Sequence, residues 1–484
     1  MGTVFDIPTL KGAQPLTLFN LKSAFLKRWQ QENGYLHILN IAFPLILSTG
    51  SWSVQQFIDR MFLSWYSPEA LAAALPTGIL SFTLISLFMG TSGYVSTFIA
   101  QYIGASRPER VGPAMWQGMY FALIGGLLLA CTALFSKPIF SFIGHSPEVQ
   151  ILESEYWIFL TLGGIFPVAQ ATLAGFFSGR GKTYPVMWAS FAATAVNIVL
   201  NYLLIFGNLG MPEMGIRGAG LSTFISGMIN FLILAYLAFS KENNSKYKTI
   251  SGWKFELNLF KRLIRYGLPN GVQFFLDIAA FSAFILLIGR LGDTELAASN
   301  IAFNISMLAF MPMIGLGITV SILVGQSLGA NHPAKAKIAT FSALQMSFTY
   351  MTILALLYLL IPTVFIYPFS AKADPNEFES IKSLALVAMR FLALWSIFDS
   401  FAIICSSALK GAGDTAFIML TICITASLVL IAPTFLIIEV FDLGLNAAWT
   451  SGLAYITCLG FIYSLRFKSG KWESMRVIEP EKKP

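Results

Sequence analysis

Charged residues are scarce in this sequence. They make up 11% of its 484 residues, whereas a soluble domain carries roughly a quarter. Hydrophobic residues account for 56% and aromatic residues for 14%. No long polar stretch interrupts this pattern, so most of the chain belongs to one unit. The composition therefore excludes an ordinary soluble domain and predicts a protein embedded in a membrane.

Histidine and cysteine are also scarce, with three and four residues respectively. Cys131, Cys405, Cys423 and Cys458 lie inside apolar runs without metal-ligand or disulfide spacing, so we expect small buried hydrophobic residues. The histidines lie near the ends of apolar runs or in loops. We therefore expect no resident metal centre, no catalytic triad and no organic cofactor. The chain is not expected to be an enzyme.

A phosphate-binding loop is absent as well. Residues 175–183 read GFFSGRGKT, but Phe176 stands where the first glycine is required, and no strand precedes the segment. The pattern predicts a turn between helices. ATP-driven chemistry is therefore not indicated.

Long apolar runs are what the sequence has in abundance. A transmembrane helix needs about 20 mainly apolar residues, and twelve runs satisfy this. They are residues 36–64, 69–101, 112–136, 155–178, 184–207, 217–240, 264–289, 295–327, 338–368, 383–409, 415–439 and 445–466. The sequence thus predicts an all-α membrane protein with twelve transmembrane helices.

The basic residues provide an independent test of this topology, because cytoplasmic loops retain Lys and Arg. With a cytoplasmic N-terminus, 24 of the 31 basic residues fall on the cytoplasmic side, and two fall within spans. The outer loops hold Lys137, Arg217, Arg290, Lys372 and Lys382. Both termini are therefore predicted to be cytoplasmic. The net charge of +7 follows from this topology, so no nucleic-acid partner is expected.

The second half of the chain repeats the first at a shift of 225 residues. Gly90 falls on Gly315, Gln101 on Gln326, Gly104 on Gly329 and Pro44 on Pro269, while Gly179 matches Gly411 at a shift of 232. Each repeat holds six helices, so the copies have the same orientation in the membrane, as in transporters whose two lobes rock around a central site. The prediction is a cytoplasmic segment 1–34, an N-lobe 35–240, a basic linker 241–263, a C-lobe 264–466 and a cytoplasmic tail 467–484.

Three carboxylates are predicted within the spans, where an ionisable side chain costs several kcal/mol and marks a functional site. Asp277 in the seventh helix and Asp399 in the tenth lie near mid-membrane by the rise of a helix. Two acids at one depth could share a Na⁺ ion or exchange a proton. The alternative is a salt bridge, although Arg390 lies about 13 Å from Asp399 along the helix axis.

Asp59, in the first helix, is the third acid, and amide side chains are enriched in the same half of the chain. Asn197 and Asn201 are four residues apart and therefore share a helical face. Together with Gln56 they are candidates for a polar network around Asp59. The alternatives are interhelical packing bonds and an interfacial Asp59 that is satisfied by water.

Pro44 and Pro269 lie inside predicted spans and are candidate hinges, although kinks also occur in static membrane proteins. Methionine and aromatic residues crowd the eighth helix and could line an adaptable cavity; core or lipid-facing packing is the alternative. The candidate cavity residues are Phe303, Asn304, Met307 and Trp395.

These positions resemble the multidrug and toxic compound extrusion family, in its bacterial NorM-like branch, over about residues 35–465. The shared patterns are an acid fifteen residues after a proline, an Asn-x-x-x-Asn, an acid eight residues after a proline, and an acid twelve residues before a glycine. In this sequence they are Pro44 with Asp59, Asn197 with Asn201, Pro269 with Asp277, and Asp399 with Gly411. The resemblance implies an antiporter that exports organic cations or lipophilic compounds in exchange for Na⁺ or H⁺ by alternating access.

By position, the resemblance implies that Asp277 and Asp399 form the cation site, where they are the candidate ligands for Na⁺. It implies that Asp59, Asn197 and Asn201 form a polar network in the N-lobe. The sequence departs from the family at two points. Asp277 replaces a more common glutamate, and Trp395 stands where an aromatic hydroxyl is frequent. The coupling ion therefore stays open between Na⁺ and H⁺.

A lipid-linked oligosaccharide flippase of related architecture is the alternative function. Such a protein should have a basic cavity for pyrophosphate, whereas the mid-membrane charges here are mostly acidic. An intramembrane enzyme or a receptor lacks a supporting constellation of residues. We expect a monomer in the bacterial inner membrane that contacts lipid and small-molecule substrates.

Overall fold

The structure, a computed structural model, describes residues 28–370 and 375–480. Within these ranges the chain forms twelve long helices and no β-strand. They are α1 Tyr35–Tyr66, α2 Pro68–Gly104, α3 Pro108–Ile143, α4 Pro147–Ser178, α5 Tyr184–Phe206, α6 Ile216–Ala238, α7 Leu257–Ile288, α8 Asp293–Gly329, α9 Pro333–Leu360, α10 Pro375–Ala412, α11 Thr415–Val440 and α12 Gly444–Lys468. Most of the predicted segment 1–34, and the predicted outer residue Lys372, lie outside the described residues.

Eleven helices in the described part of the chain are long and apolar enough to cross a membrane. This confirms a polytopic, all-α membrane protein. Helix α1 is not among the eleven, although it is 32 residues long, and its C-terminal half carries Gln55, Gln56, Asp59 and Arg60. The twelfth span and the cytoplasmic position of the termini stay predictions.

Helix α7 begins earlier than the sequence analysis places the seventh span. It starts at Leu257, inside the predicted linker 241–263. Leu259 and Leu263 are 1% and 2% exposed and pack into the same apolar cluster as residues of α2, α3 and α4. Burial of one apolar face therefore extends the helix through a stretch that also carries Lys261 and Arg262.

Buried apolar side chains form two main clusters. The larger is drawn mainly from α8, α9, α10 and α12, and the second mainly from α2, α3 and α4. We keep the names N-lobe and C-lobe for residues 35–240 and 264–466. The ends of α2 and α8 connect the lobes.

The connections at residues 105–110, 179–183, 239–256, 330–332 and 411–414 contact one another or the tail segment 469–480 at one end of the bundle. Arg110 pairs with Glu256 at 2.8 Å, and the Arg180 guanidinium donates to Asn243 at 2.9 Å. Within the C-lobe, Arg466 pairs with Asp414 at 2.7 Å. We call this end the basic face; the sequence predicts that it is cytoplasmic.

The tail segment 469–480 crosses the basic face from the C-lobe to the N-lobe. On the C-lobe side, Trp472 is fully buried and stacks on Phe467 with ring centroids 4.9 Å apart. Farther along, Val477 is 1% exposed and packs in the apolar cluster of the N-lobe. The tail therefore has one anchor on each lobe.

Glu479 completes the second anchor. Its carboxylate pairs with Arg107 at 2.6 Å and Arg262 at 2.5 Å, and it accepts a hydrogen bond from Tyr102 at 2.7 Å. Burial alone would raise the pKa of Glu479, but the hydrogen bonds from Tyr102 and Arg262 and the Arg262 charge lower it to about 2. The anchor is therefore charged and intact at neutral pH.

Candidate functional site

The polar centre of the N-lobe is built around Asp59, which is 4% exposed. The Asn201 side-chain amide donates to the Asp59 carboxylate and also to Oδ1 of Asn197 at 3.1 Å. Asn197 in turn donates to the Ser226 hydroxyl at 3.5 Å. Because Asn197 and Asn201 share one face of α5, a single helix links α1 to α6. The structure thus brings Asp59, Asn197 and Asn201 together.

Hydroxyl side chains continue this α1–α5 contact toward the basic face. Ser51 shares a hydrogen bond with Thr194, and Ser48 shares one with Ser190, both at 2.7 Å. These four residues were not predicted from the sequence. Ser190 and Thr194 are four residues apart on α5, in step with Asn197 and Asn201, and this spacing was the available signal.

Hydrogen-bond acceptors outnumber hydrogen-bond donors in the polar centre of the N-lobe. Oδ1 of Asn201 is buried and has no hydrogen-bond partner among the described residues, and the same holds for Oδ1 of Asn230 on α6. A buried amide oxygen beside a carboxylate can accept a proton-bearing group or a small cation. Gln56 is half-buried and makes no hydrogen bond to any residue that the structure describes. It is therefore not brought into the network.

The polar centre of the C-lobe contains two acids. Asp399 on α10 is 8% exposed, and Asp277 on α7 is half-buried. The Gln273 amide, one turn before Asp277, donates to its carboxylate. The two carboxylates are close enough to interact electrostatically, and both also act on Tyr455 of α12. The structure therefore brings Asp277 and Asp399 into one electrostatic cluster.

Lys410 joins this cluster. Lys410 falls between the predicted spans 383–409 and 415–439, in a predicted cytoplasmic loop, but in the structure it is half-buried in the last turn of α10. Its ammonium interacts electrostatically with Asp277. Eleven residues separate it from Asp399, so the two side chains point within about 20° of each other around α10. A lysine side chain points back along its helix, which carries the ammonium toward the interior.

One monovalent cation can neutralise the charges of the C-lobe centre. With Asp277 and Asp399 ionised and Lys410 protonated, the formal charge is −1, so one monovalent cation or proton neutralises the cluster. No group of three or more His, Cys, Asp or Glu side chains suited to a metal ion occurs within residues 28–370 and 375–480. A Na⁺ ion at the two acids would therefore need further oxygen ligands from amides, hydroxyls or water.

The four candidate cavity residues have different environments. Phe303 is 8% exposed and packs between Phe281 and Trp449, with ring centroids 4.5 and 4.9 Å away. Its surroundings are those of the C-lobe core. Asn304 is exposed, and Met307 is 49% exposed. Trp395 is half-buried and belongs to the margin of the same core.

Pro44 and Pro269 both lie inside unbroken helices, α1 and α7. Beside Pro269, the Asn270 amide donates to the Gly90 carbonyl at 2.8 Å. A Cβ on Gly90 would lie only 2.8 Å from the Gly271 Cα. Helix α7 therefore packs backbone to backbone on α2 at the candidate hinge.

The sequence model of the MatE family matches this chain twice, over residues 44–203 and 269–436. The matches begin at Pro44 and Pro269, which the sequence repeat also pairs, and together they cover about two thirds of the chain.

Curated relatives and solved structures agree with this match. The multidrug resistance protein PmpM of Pseudomonas aeruginosa is 30% identical over 390 residues, covering 79% of this chain and 80% of that protein. The probable multidrug resistance protein NorM of Thermotoga maritima is 26% identical over 446 residues, covering 92% and 94%. An outward-facing multidrug resistance MATE family transporter of the MOP superfamily superimposes with a TM-score of 0.82 at 21% identity, covering 90% and 96%. A MOP superfamily transporter from Pyrococcus furiosus gives 0.83 at 20% identity, covering 92% and 97%.

Proposed function

We propose, because the chain belongs to the MatE family in its NorM-like branch, that it is a multidrug efflux antiporter of the bacterial inner membrane. It exports organic cations or lipophilic compounds and takes up a cation in exchange, by alternating access between the two lobes. Members of this family are transporters, not enzymes.

The charge balance of the C-lobe centre carries this proposal. Asp277, Asp399 and Lys410 form a cluster with a formal charge of −1 in a part of the protein where an uncompensated charge is costly. Uptake of one coupling cation removes that charge. A cationic drug is then attracted less strongly, so cation binding favours drug release.

The coupling ion is either Na⁺ or H⁺. Two carboxylates with few other ligands suit a proton, which needs a single acceptor, whereas Na⁺ would require additional oxygen atoms. We propose further that the basic face is cytoplasmic, because it collects Arg and Lys from the connections and the tail. The cation then enters from the opposite face, down its gradient.

Dye efflux from proteoliposomes tests this function. A Na⁺ gradient and a pH gradient are imposed separately across vesicles loaded with a fluorescent organic cation. We expect one of them to accelerate efflux, and an ionophore that dissipates that gradient to abolish the acceleration. The proposal is wrong if neither gradient changes the efflux rate of protein that binds the dye.

A further inference from the structure

Two glutamines bond reciprocally across the lobes at the basic face. The Gln101 amide on α2 donates to the Gly411 carbonyl at the end of α10, at 3.0 Å. The Gln326 amide on α8 donates to the Gly179 carbonyl at the end of α4, at 2.9 Å. The sequence repeat pairs the two glutamines with each other and the two glycines with each other. Each lobe therefore contributes one donor and one acceptor.

The helices that carry the glutamines touch backbone to backbone. A Cβ on Gly104 would lie 1.9 Å from the Gln326 carbonyl oxygen, and a Cβ on Gly329 would lie 2.1 Å from the Gln101 carbonyl oxygen. No larger residue fits at either position without separating the helices. The crossing of α2 and α8 thus closes the space between the lobes at this end.

Each acceptor is held firmly by its own lobe. A Cβ on Gly179 would lie 2.6 Å from the Ser96 carbonyl oxygen, and a Cβ on Gly411 would lie 2.4 Å from the Ser321 carbonyl oxygen. Close packing of this kind fixes the carbonyls in place. Whether the two bonds form therefore depends on the relative position of the lobes and not on the movement of a loop.

The Gln101 half has additional contacts. The Val477 amide of the tail donates to Oε1 of Gln101 at 2.8 Å, so both ends of this buried side chain are bonded. The Tyr94 hydroxyl, also on α2, donates to the Lys410 carbonyl at 2.7 Å. One turn of α10 thus carries Lys410, whose ammonium interacts electrostatically with Asp277, and two carbonyls bonded to the N-lobe.

We propose that Gln101 and Gln326 are positioning residues that hold the basic face shut, as a reciprocal latch between the lobes. This inference rests on the proposed alternating-access function. Opening the basic face breaks both bonds together, and water then replaces them. Lys410 is adjacent to Gly411, the acceptor of the Gln101 bond, and interacts electrostatically with Asp277. A change of charge at Asp277 therefore acts, through Lys410, on the turn of α10 to which the latch is bonded.

Distances between spin labels test the latch without requiring transport. The four native cysteines are replaced, and labels are placed at two exposed positions of the basic face, Glu109→Cys in the N-lobe and Ala334→Cys in the C-lobe. Double electron–electron resonance then measures the ratio of separated to closed lobes in Gln101→Leu, Gln326→Leu and the double variant. We expect about a fivefold rise in this ratio for each bond removed, and the product of both in the double variant.

Gln117→Leu is the matched control. Gln117 is as buried as Gln101, but its amide donates to the Lys254 carbonyl and its oxygen accepts from the Glu256 amide, both at 3.3 Å within the N-lobe and its linker. Its loss should lower thermal stability and leave the label ratio unchanged. If Gln101→Leu does not fold, half-buried Gln326 provides the measurement. The latch is refuted if the Gln326→Leu ratio equals that of the wild type or of Gln117→Leu.

Discussion

The polar centres of the two lobes use different kinds of interaction. In the N-lobe, one carboxylate is held by amide hydrogen bonds that run from Asp59 through Asn201 to Asn197, and the adjacent Arg60 also acts on it electrostatically. In the C-lobe, two carboxylates and an ammonium interact mainly through charge, with a single amide bond to Asp277. Hydrogen bonds have fixed directions, whereas a charge cluster responds to any cation that enters. From this difference we expect a mainly structural role for the N-lobe centre and a role in cation binding for the C-lobe centre.

The two halves of the chain share the helical arrangement but not the positions of their buried acids. The repeat pairs Asp59 with Phe284, which is fully buried among aromatic residues. It pairs Asp277 with Trp52, which packs on Phe82 at 5.0 Å. Each of these two acids therefore corresponds to an aromatic side chain at the equivalent position of the other lobe. Equivalent substitutions in the two lobes should have unequal effects.

The largest effect is expected from Asp277→Asn and Asp399→Asn. Either change removes a carboxylate of the cluster and leaves a formal charge of zero, so the centre no longer attracts a cation. Gradient-driven dye efflux in proteoliposomes should fall to the rate of protein-free vesicles. Glu379→Gln, at a side chain that is 71% exposed, should keep the wild-type rate. Gradient-dependent efflux in both aspartate variants would contradict a responsive C-lobe centre.

A smaller effect is expected from Lys410→Met, which sharpens the comparison by removing the ammonium of the C-lobe cluster. The formal charge changes from −1 to −2, and a charge interaction of about 1 kcal/mol should lower the half-saturating concentration of the coupling cation about fivefold. The titration is followed by the initial rate of dye efflux. Lys382→Met, remote from the centre, serves as the control. An unchanged or higher half-saturating concentration would show that Lys410 does not act on the site.

The smallest effect on coupling is expected from Asp59→Asn. Replacing a charge-assisted hydrogen bond by a neutral one should cost about 1 kcal/mol of stability, because the Asn201 amide still finds an oxygen acceptor. The melting temperature of the purified protein should therefore decrease, while the dependence of efflux on cation concentration stays that of the wild type. Loss of cation dependence as complete as in Asp277→Asn would mean that the two centres have equivalent roles.

Much of the architecture could be predicted from the sequence, because apolar runs and helix periodicity are local properties. The pairing of Asn201 with Asn197 follows from their spacing alone. The start of α7 could not be predicted in this way, since it depends on Leu259 and Leu263 packing against other helices. The assignment of a span to α1 still rests on the sequence, because its acid and amides lower its hydropathy.

The roles of Lys410, Gln101 and Gln326 could not be predicted from the sequence because they depend on contacts between distant segments. Lys410 stands two residues before the end of α10 and looks like a loop residue until the direction of its side chain is considered. Gln101 and Gln326 were visible as a repeated pair, but nothing in the repeat indicates that each bonds to the other lobe. That information lies in the relative placement of the lobes, which no pattern within a single helix encodes.

The reciprocal bonds of Gln101 and Gln326 also bear on how the protein arose. In a two-fold symmetric dimer, residue i of the first copy contacts residue j of the second, and residue j of the first contacts residue i of the second. Such an isologous contact forms a closed dimer. The pairs Gln101–Gly411 and Gln326–Gly179 have this form within one chain. A surface of this form joins two identical six-helix subunits as readily as it joins the two halves of one fused chain. The bond from Val477 to Gln101 has no such twin among the described residues, so it is a feature that only the fused chain could acquire.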